Sequence, residues 1–156
     1  MIRVTIILLT VICIGCGPTP YYSDNYEIDP LGWVSDDAIL FQPEITDTSA
    51  TYELQLVIDH TNEYRYENIY FRINTIFPDR PETEENLSID LATKKGQWVG
   101  NCSGDDCKLK VYLLENFKFP SKGTYGFKLR QYTRDEALTG IAGITMELFQ
   151  KEIEAK

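Results

Sequence analysis

From residue 52 to residue 148 the chain alternates apolar and polar residues, stretch after stretch, at every second position. Tyr52, Leu54, Leu56 and Ile58 fall on one face, with Glu53, Gln55 and Asp59 opposite. Ile69, Phe71, Ile73 and Phe77 do the same against Arg72 and Asn74. The pattern recurs at Leu87-Ile89-Leu91, Leu109-Val111-Leu113, Tyr125-Phe127-Leu129 and Ile144-Met146-Leu148. The short apolar run Ala38 to Phe41 precedes them. Successive side chains of a strand point to opposite faces, so a period of two marks a strand with one face buried. Only Arg134 to Ala142 has any helical character, and Gly140 interrupts it, so it is expected as a loop with at most one turn. About seven short strands, one-sided burial and no long helix predict an all-β fold, an antiparallel β-sandwich.

Turn chemistry fills the gaps. His60-Thr61-Asn62-Glu63 is expected to join the second and third strands as a hairpin. Pro78-Asp79-Arg80-Pro81 ends the third strand, Gly100 to Cys107 reads as a polar loop, and Pro120-Ser121-Lys122-Gly123 leads into the sixth strand.

The N-terminus sets the compartment. Arg3 is followed by eleven uncharged residues, Val4 to Ile14, then Gly15-Cys16-Gly17-Pro18. A basic start, a short apolar core and a small residue at the cut make a secretory signal. Eleven residues are too few for a membrane span, which needs about 20. Ile14-Gly15-Cys16 resembles the bacterial lipobox, in which the cysteine sulfur is lipidated and becomes the first mature residue. Cys13 stands where a lipobox usually carries leucine, and an ordinary signal cut nearby, with Cys16 free, is the other reading. The expected division is a lipoprotein signal peptide over 1–15, a lipidated N-terminus and tether over 16–30, and a β-sandwich domain over 31–156. Several acyl chains anchor firmly, since each buried methylene contributes about 0.8 kcal/mol.

Fifteen basic and 24 acidic residues give a net charge of −9. That argues against nucleic acid, whose affinity rests on Lys/Arg patches. Of four cysteines, Cys13 leaves with the signal and Cys16 takes the lipid, so Cys102 and Cys107 remain in an oxidising compartment. Gly104 and the aspartates between them favour a chain reversal. A disulfide is expected; free thiols, or half of a metal site shared with a partner, are the competing states.

The domain resembles the gliding motility lipoprotein GldH family of the Bacteroidetes. The matching residues are Gly32-Trp33-x-x-Asp36-Asp37 with Phe41, and Tyr64-x-Tyr66-x-Asn68-Ile69-Tyr70-Phe71 with Phe77-Pro78. Gly96-x-Trp98-x-Gly100, Phe119-Pro120-x-x-Gly123-x-Tyr125, Gln131-x-x-Arg134 and Leu138-x-Gly140-Ile141 complete them. The Cys102/Cys107 pair departs from that pattern. The resemblance implies an envelope lipoprotein needed for surface gliding and linked to type IX secretion. The uncharged residues that follow Cys16 suggest an outer-membrane anchor facing the periplasm, and the expected partners are other gliding and secretion proteins. The resemblance carries no catalytic residue.

The residues themselves do not point to an enzyme. The single histidine, His60, is expected as a solvated turn residue, and a Ser-His-Asp site would need a buried orienting carboxylate and an oxyanion hole. Cys102 and Cys107 supply two of the four ligands of a closed zinc site, and no second pair exists. Asn101, Asp105 and Asp106 are acidic-loop residues of the type that binds calcium, yet such loops are commonly just solvated. Asp36 and Asp37 are adjacent, so they point to opposite faces and cannot flank one glycosidic bond. No cofactor and no small-molecule substrate are expected. Trp33, Trp98 and Tyr70 are the candidate partner contacts, the two tryptophans doubling as core residues and Tyr70 lying on the face opposite Phe71. The reading is a non-catalytic, lipid-anchored binding protein; the alternative is a carbohydrate-binding sandwich.

Overall fold

A computed structural model describes residues 17–151. Cys16 and the signal segment lie outside the described residues. The strands are β1 Tyr22–Glu27, β2 Trp33–Val34, β3 Ile39–Phe41, β4 Glu44–Ile45, β5 Thr51–Thr61, β6 Asn68–Ile76, β7 Thr83–Asp90, β8 Asn101–Ser103, β9 Asp106–Phe117, β10 Gly123–Thr124, β11 Gly126–Gln131, β12 Ala137–Leu138 and β13 Ile141–Lys151. They build a five-stranded sheet in the order β1-β13-β5-β9-β8 and a four-stranded sheet in the order β3-β11-β6-β7. Every pairing is antiparallel. Two small ladders, β10-β4 and β12-β2, accompany them.

The alternating residues become the core. Tyr52, Leu54, Leu56 and Ile58 of β5 and Ile144, Met146 and Leu148 of β13 are all buried, as are Ile69 and Phe71 of β6 and Phe127 and Leu129 of β11. The two sheets thus face each other with their apolar sides, as a sandwich does. β5 is central in its sheet and loses its outer face as well: Gln55 and Val57 are buried.

Register defines the two ends of the sandwich. One end holds the start of β1 and β5, the ends of β9 and β13, and the start of β11, since Tyr22 pairs Leu148, Tyr52 pairs Phe117 and Gly126 pairs Ile76. A chain of aromatic rings fills it: Tyr21 against Tyr52, Tyr52 against Phe119, and Phe119 against Tyr125 at 4.7 Å. The other end holds the close of β5, the start of β6 and the end of β11.

Four expectations are corrected. The tether is much shorter than residues 16–30, because Tyr22–Glu27 pairs along β13 as an edge strand. Its sequence, Tyr-Ser-Asp-Asn-Tyr-Glu, buries little, so backbone pairing holds it and no apolar period betrays it. Residues 60–63 do not make a hairpin: β5 runs on to Thr61, and the turn carries the chain to β6 in the opposite sheet. The polar loop 100–107 is a hairpin, β8 turning into β9 through Gly104 and Asp105. The segment 134–142 contributes β12, which pairs β2.

Candidate functional site

Asn68, Tyr70 and Arg72 occupy every second position at the start of β6, so they share its solvent face, and Tyr66 lies two residues before the strand. Beyond β11, the Tyr132 backbone N–H donates to the Tyr70 carbonyl at 2.7 Å, which carries the pairing one residue past the strand and sets Tyr132 beside Tyr70. Tyr66, Tyr70 and Tyr132 are 42, 45 and 50% exposed. With Asn68, Thr133 and Arg134 they line a hollow of about 660 Å³.

Buried polar residues hold this surface. Gln131 is 2% exposed. Its side-chain NH₂ donates to the Asp135 carbonyl at 2.9 Å and the Trp33 carbonyl at 3.4 Å, and its Oε1 accepts from the Thr133 N–H and hydroxyl at 2.8 and 2.7 Å. One amide therefore pins both sides of the turn 131–135, and a buried amide satisfied at both ends is stiff. The Tyr66 hydroxyl donates to Asp135 Oδ2 at 2.8 Å, and that bond raises the Tyr66 pKa. Behind it Tyr64 is buried, its hydroxyl donating to the Asn68 carbonyl at 2.8 Å; burial drives its pKa far up. The Arg72 guanidinium lies 4.1 Å from the centre of the Tyr132 ring, a cation–π contact.

The expected contact residues are divided by the structure. Tyr70 stands exposed on this surface. Trp33 does not: it is 2% exposed, packed against Phe71, and its Nε1–H donates to the Asp37 carbonyl. That is a correction, and its cause is β2, which turns the indole inward under β12. Trp98 is half-buried on a turn paired to Ala92, just past β7, and meets the tyrosine surface only from behind, through His60 and Tyr64, whose ring in turn meets Tyr66. Asp37 serves a turn, its N–H donating to the Val34 carbonyl.

His60 corrects its expectation most plainly. It is 1% exposed, not solvated. It lies on the core face of β5, opposite Cys107 of β9, with Trp98 beside it. Burial lowers its pKa, outweighing the Thr61 carbonyl and Asp59, which raise it. Its Nδ1 is 3.3 Å from the Thr61 carbonyl, and its Nε2 has no partner among the described residues. Cys102 and Cys107 face each other across β8 and β9, Cα atoms 4.0 Å apart, joined by a disulfide. Asp105 is held by Asn62, whose Nδ2–H donates to its Oδ1 at 2.6 Å. Among the described residues no three His, Cys, Asp or Glu side chains gather around a point that would hold a metal.

Sequence reasoning passed over Tyr132, Arg72 and Arg130 as surface residues. The signal was there: Lys128, Arg130 and Tyr132 alternate with the buried Phe127, Leu129 and Gln131, so they point outward together.

The sequence model of the family described as GldH lipoprotein matches residues 20–148. The chain is similar to a gliding motility lipoprotein GldH homolog of Christiangramia forsetii, 27% identical over 146 residues, 91% of this chain and 90% of that one. It is similar to the gliding motility lipoprotein GldH of Flavobacterium johnsoniae, 24% identical over 154 residues, 94% of this chain and 95% of that one. Among solved structures it resembles, with a TM-score of 0.50 and 11% identity, part of a 4-O-methyl-α-glucuronidase with specificity for decorated arabinogalactans. That likeness covers 92% of this chain and 19% of the glucuronidase, and it is one of fold alone.

Proposed function

The chain belongs to the GldH lipoprotein family, and on that premise we propose that it is a non-catalytic, lipid-anchored binding component of the gliding motility and type IX secretion machinery. Its Cys16 carries the lipid in the outer membrane, the domain faces the periplasm, and the Tyr66-Tyr70-Tyr132 surface engages a protein partner. The observation that carries this reading is the grouping of three exposed tyrosines around one hollow, since tyrosine is among the residues that dominate interface energetics.

The tether supports the arrangement. The Tyr21 hydroxyl donates to the Glu44 carbonyl at 2.9 Å, and its ring meets Tyr52, so Tyr21 is already part of the domain. From the Cys16 Cα to the Tyr21 Cα the chain reaches at most roughly 18 Å. A leash that short keeps the Tyr21 end against the bilayer. The tyrosine surface lies at the opposite end, about the length of β5 away, roughly 34 Å for its 11 residues.

Three alterations test this in a gliding host. Deleting the gene should abolish spreading on agar. Cys16→Ser should leave the protein out of the membrane fraction or unprocessed, and label with an alkyne fatty acid should mark the wild type only. A photocrosslinking residue in place of Tyr70 should give a protein adduct in native membranes. Normal spreading of the deletion strain, or an unlabelled wild type, refutes the reading. The carbohydrate alternative is favoured by one feature, that the tyrosines line a hollow and not a flat patch; saturable binding of a neutral glycan, lost in Tyr70→Ala, would select it.

A further inference from the structure

Arg130 of β11 stands directly opposite Arg72 of β6 in the antiparallel register. Like charges at such positions destabilise a sheet. The protein as a whole carries a charge of −9, so acids to separate the two are not scarce in the chain.

The other sheet shows what ordinary pairing looks like here. On its outer face Lys108 meets Asp59, which its register places opposite, at 2.9 Å. Lys110 meets Glu147 at 3.4 Å, and Lys151 meets Glu53. Each of these three lysines has its own carboxylate. The four-stranded sheet differs. Arg72 has Glu84 at 3.3 Å and Asn86 Oδ1 at 3.5 Å. Lys128, Arg130 and Arg134 have no ion pair among the described residues. Of the nearby acids, Asp135 is taken by the Tyr66 hydroxyl, and Asp36 lines the hollow beside Arg72 and Arg130 without pairing either.

The cations also adjoin the tyrosines. The hollow that holds Arg72 and Arg130, about 460 Å³, shares Tyr132 and Thr133 with the tyrosine hollow, which Arg134 flanks. A band of Tyr and Arg side chains therefore crosses the membrane-distal part of this sheet. Guanidinium groups bind carboxylates as bidentate pairs, and Tyr rings beside them exclude water from those pairs.

We propose that the Arg72/Arg130/Arg134 band and the tyrosines next to it form a docking site for an acidic, extended segment of a partner protein, whose carboxylates relieve the unpaired arginine charge. The proposal rests on the protein-binding reading above and adds the chemistry of the partner. An anionic polysaccharide offers the same carboxylates and is the outcome that would replace it.

The test uses the full lipidated chain in detergent micelles with poly-L-glutamate, polygalacturonate and poly-L-lysine as probes. Saturable binding of poly-L-glutamate is expected, about tenfold weaker at high salt because exposed charge contacts are screened. Arg130→Gln should weaken it roughly fivefold or more by removing one bidentate partner. The same change relieves the Arg72 repulsion, so its melting temperature should hold or rise, which a purely structural arginine would not permit. Arg134→Gln, outside the strands, should weaken binding too and serves if the first variant folds poorly. Absent poly-L-glutamate binding, undiminished binding in both variants, or tighter binding of polygalacturonate overturns the proposal. If it falls while Tyr70 still crosslinks to a protein in native membranes, only the acidic chemistry is wrong. If that crosslink fails as well, the protein-binding reading falls with it.

Discussion

The His60 imidazole meets the Trp98 indole edge-on, with ring centroids 4.7 Å apart and planes at 61°. The pair closes the end of the core at which β5 finishes, where the Gly96-x-Trp98 turn folds down over β5. An imidazole in that position is neutral, because burial penalises the cation.

That neutrality makes stability depend on pH. The unfolded histidine titrates near its ordinary value of about 6.5 and the folded one lower. Above about pH 6.5 both states are neutral and nothing is lost. As the pH falls below that value the unfolded chain takes up the proton first, and stability drops by up to about 1.4 kcal/mol per pH unit until the folded group titrates too. His60→Phe keeps a ring against Trp98 and removes the proton. Urea midpoints at pH 7.5 and pH 5 should fall further apart in the wild type than in His60→Phe. Parallel losses in the two proteins would show that His60 does not titrate as described.

The second expectation concerns Gly140. Its φ is +83°, and a Cβ there would sit 2.5 Å from the Tyr64 backbone nitrogen. The clash is with backbone, which cannot swing aside, and Tyr64 braces Asn68 at the head of the tyrosine surface. Gly140→Ala should cost roughly 3 kcal/mol, combining the left-handed conformation with the displaced Tyr64 segment. Gly96 shares a positive φ of +75° but has open space, so Gly96→Ala should cost only about 1 kcal/mol. Equal losses in denaturant titration would mean that close approach is not what selects glycine at 140.

The third concerns Cys102 and Cys107. Gly104, with φ +64°, opens the two-residue turn between β8 and β9, as a type II′ hairpin requires, and Ser103 pairs Asp106 next to it. The cysteines are the next pair along. Closing so short a loop contributes about 2 kcal/mol on the chain-entropy view. Replacing both by serine should lower the melting temperature by roughly 5 °C and leave the β circular dichroism unchanged. Mass spectrometry of the unreduced protein should show the pair oxidised; two free thiols or a stoichiometric zinc would contradict it.

How far the sequence reaches differs from residue to residue. Tyr52, Leu54, Leu56 and Ile58, or Ile144, Met146 and Leu148, announce their strand and their buried face by spacing alone, because a half-buried strand needs an apolar residue at every second position. Tyr70 is legible as exposed for the same reason. The edge strand Tyr22–Glu27 is not, since what holds it is backbone hydrogen bonding to β13, and the backbone is the same for every residue.

His60 marks the limit from the other side. Its neighbours Thr61, Asn62 and Glu63 are turn residues, and propensity pulled it into the turn. The burial of its ring depends on Trp98, 38 positions later, and on the disulfide-closed hairpin beyond it. Trp33 is likewise placed by β12, more than a hundred residues away.

The sequence by itself determined the all-β class, the inward face of each long strand and the family. Those are properties of local spacing, and spacing survives without knowledge of neighbours. Tertiary structure alone decided which strands share a sheet, that Arg130 faces Arg72, and that Tyr66, Tyr70 and Tyr132 surround one hollow. Such pairings join segments about 60 residues apart. Register and sheet order are set by how the two apolar faces interlock across the core, a long-range packing choice that no single stretch of the chain encodes.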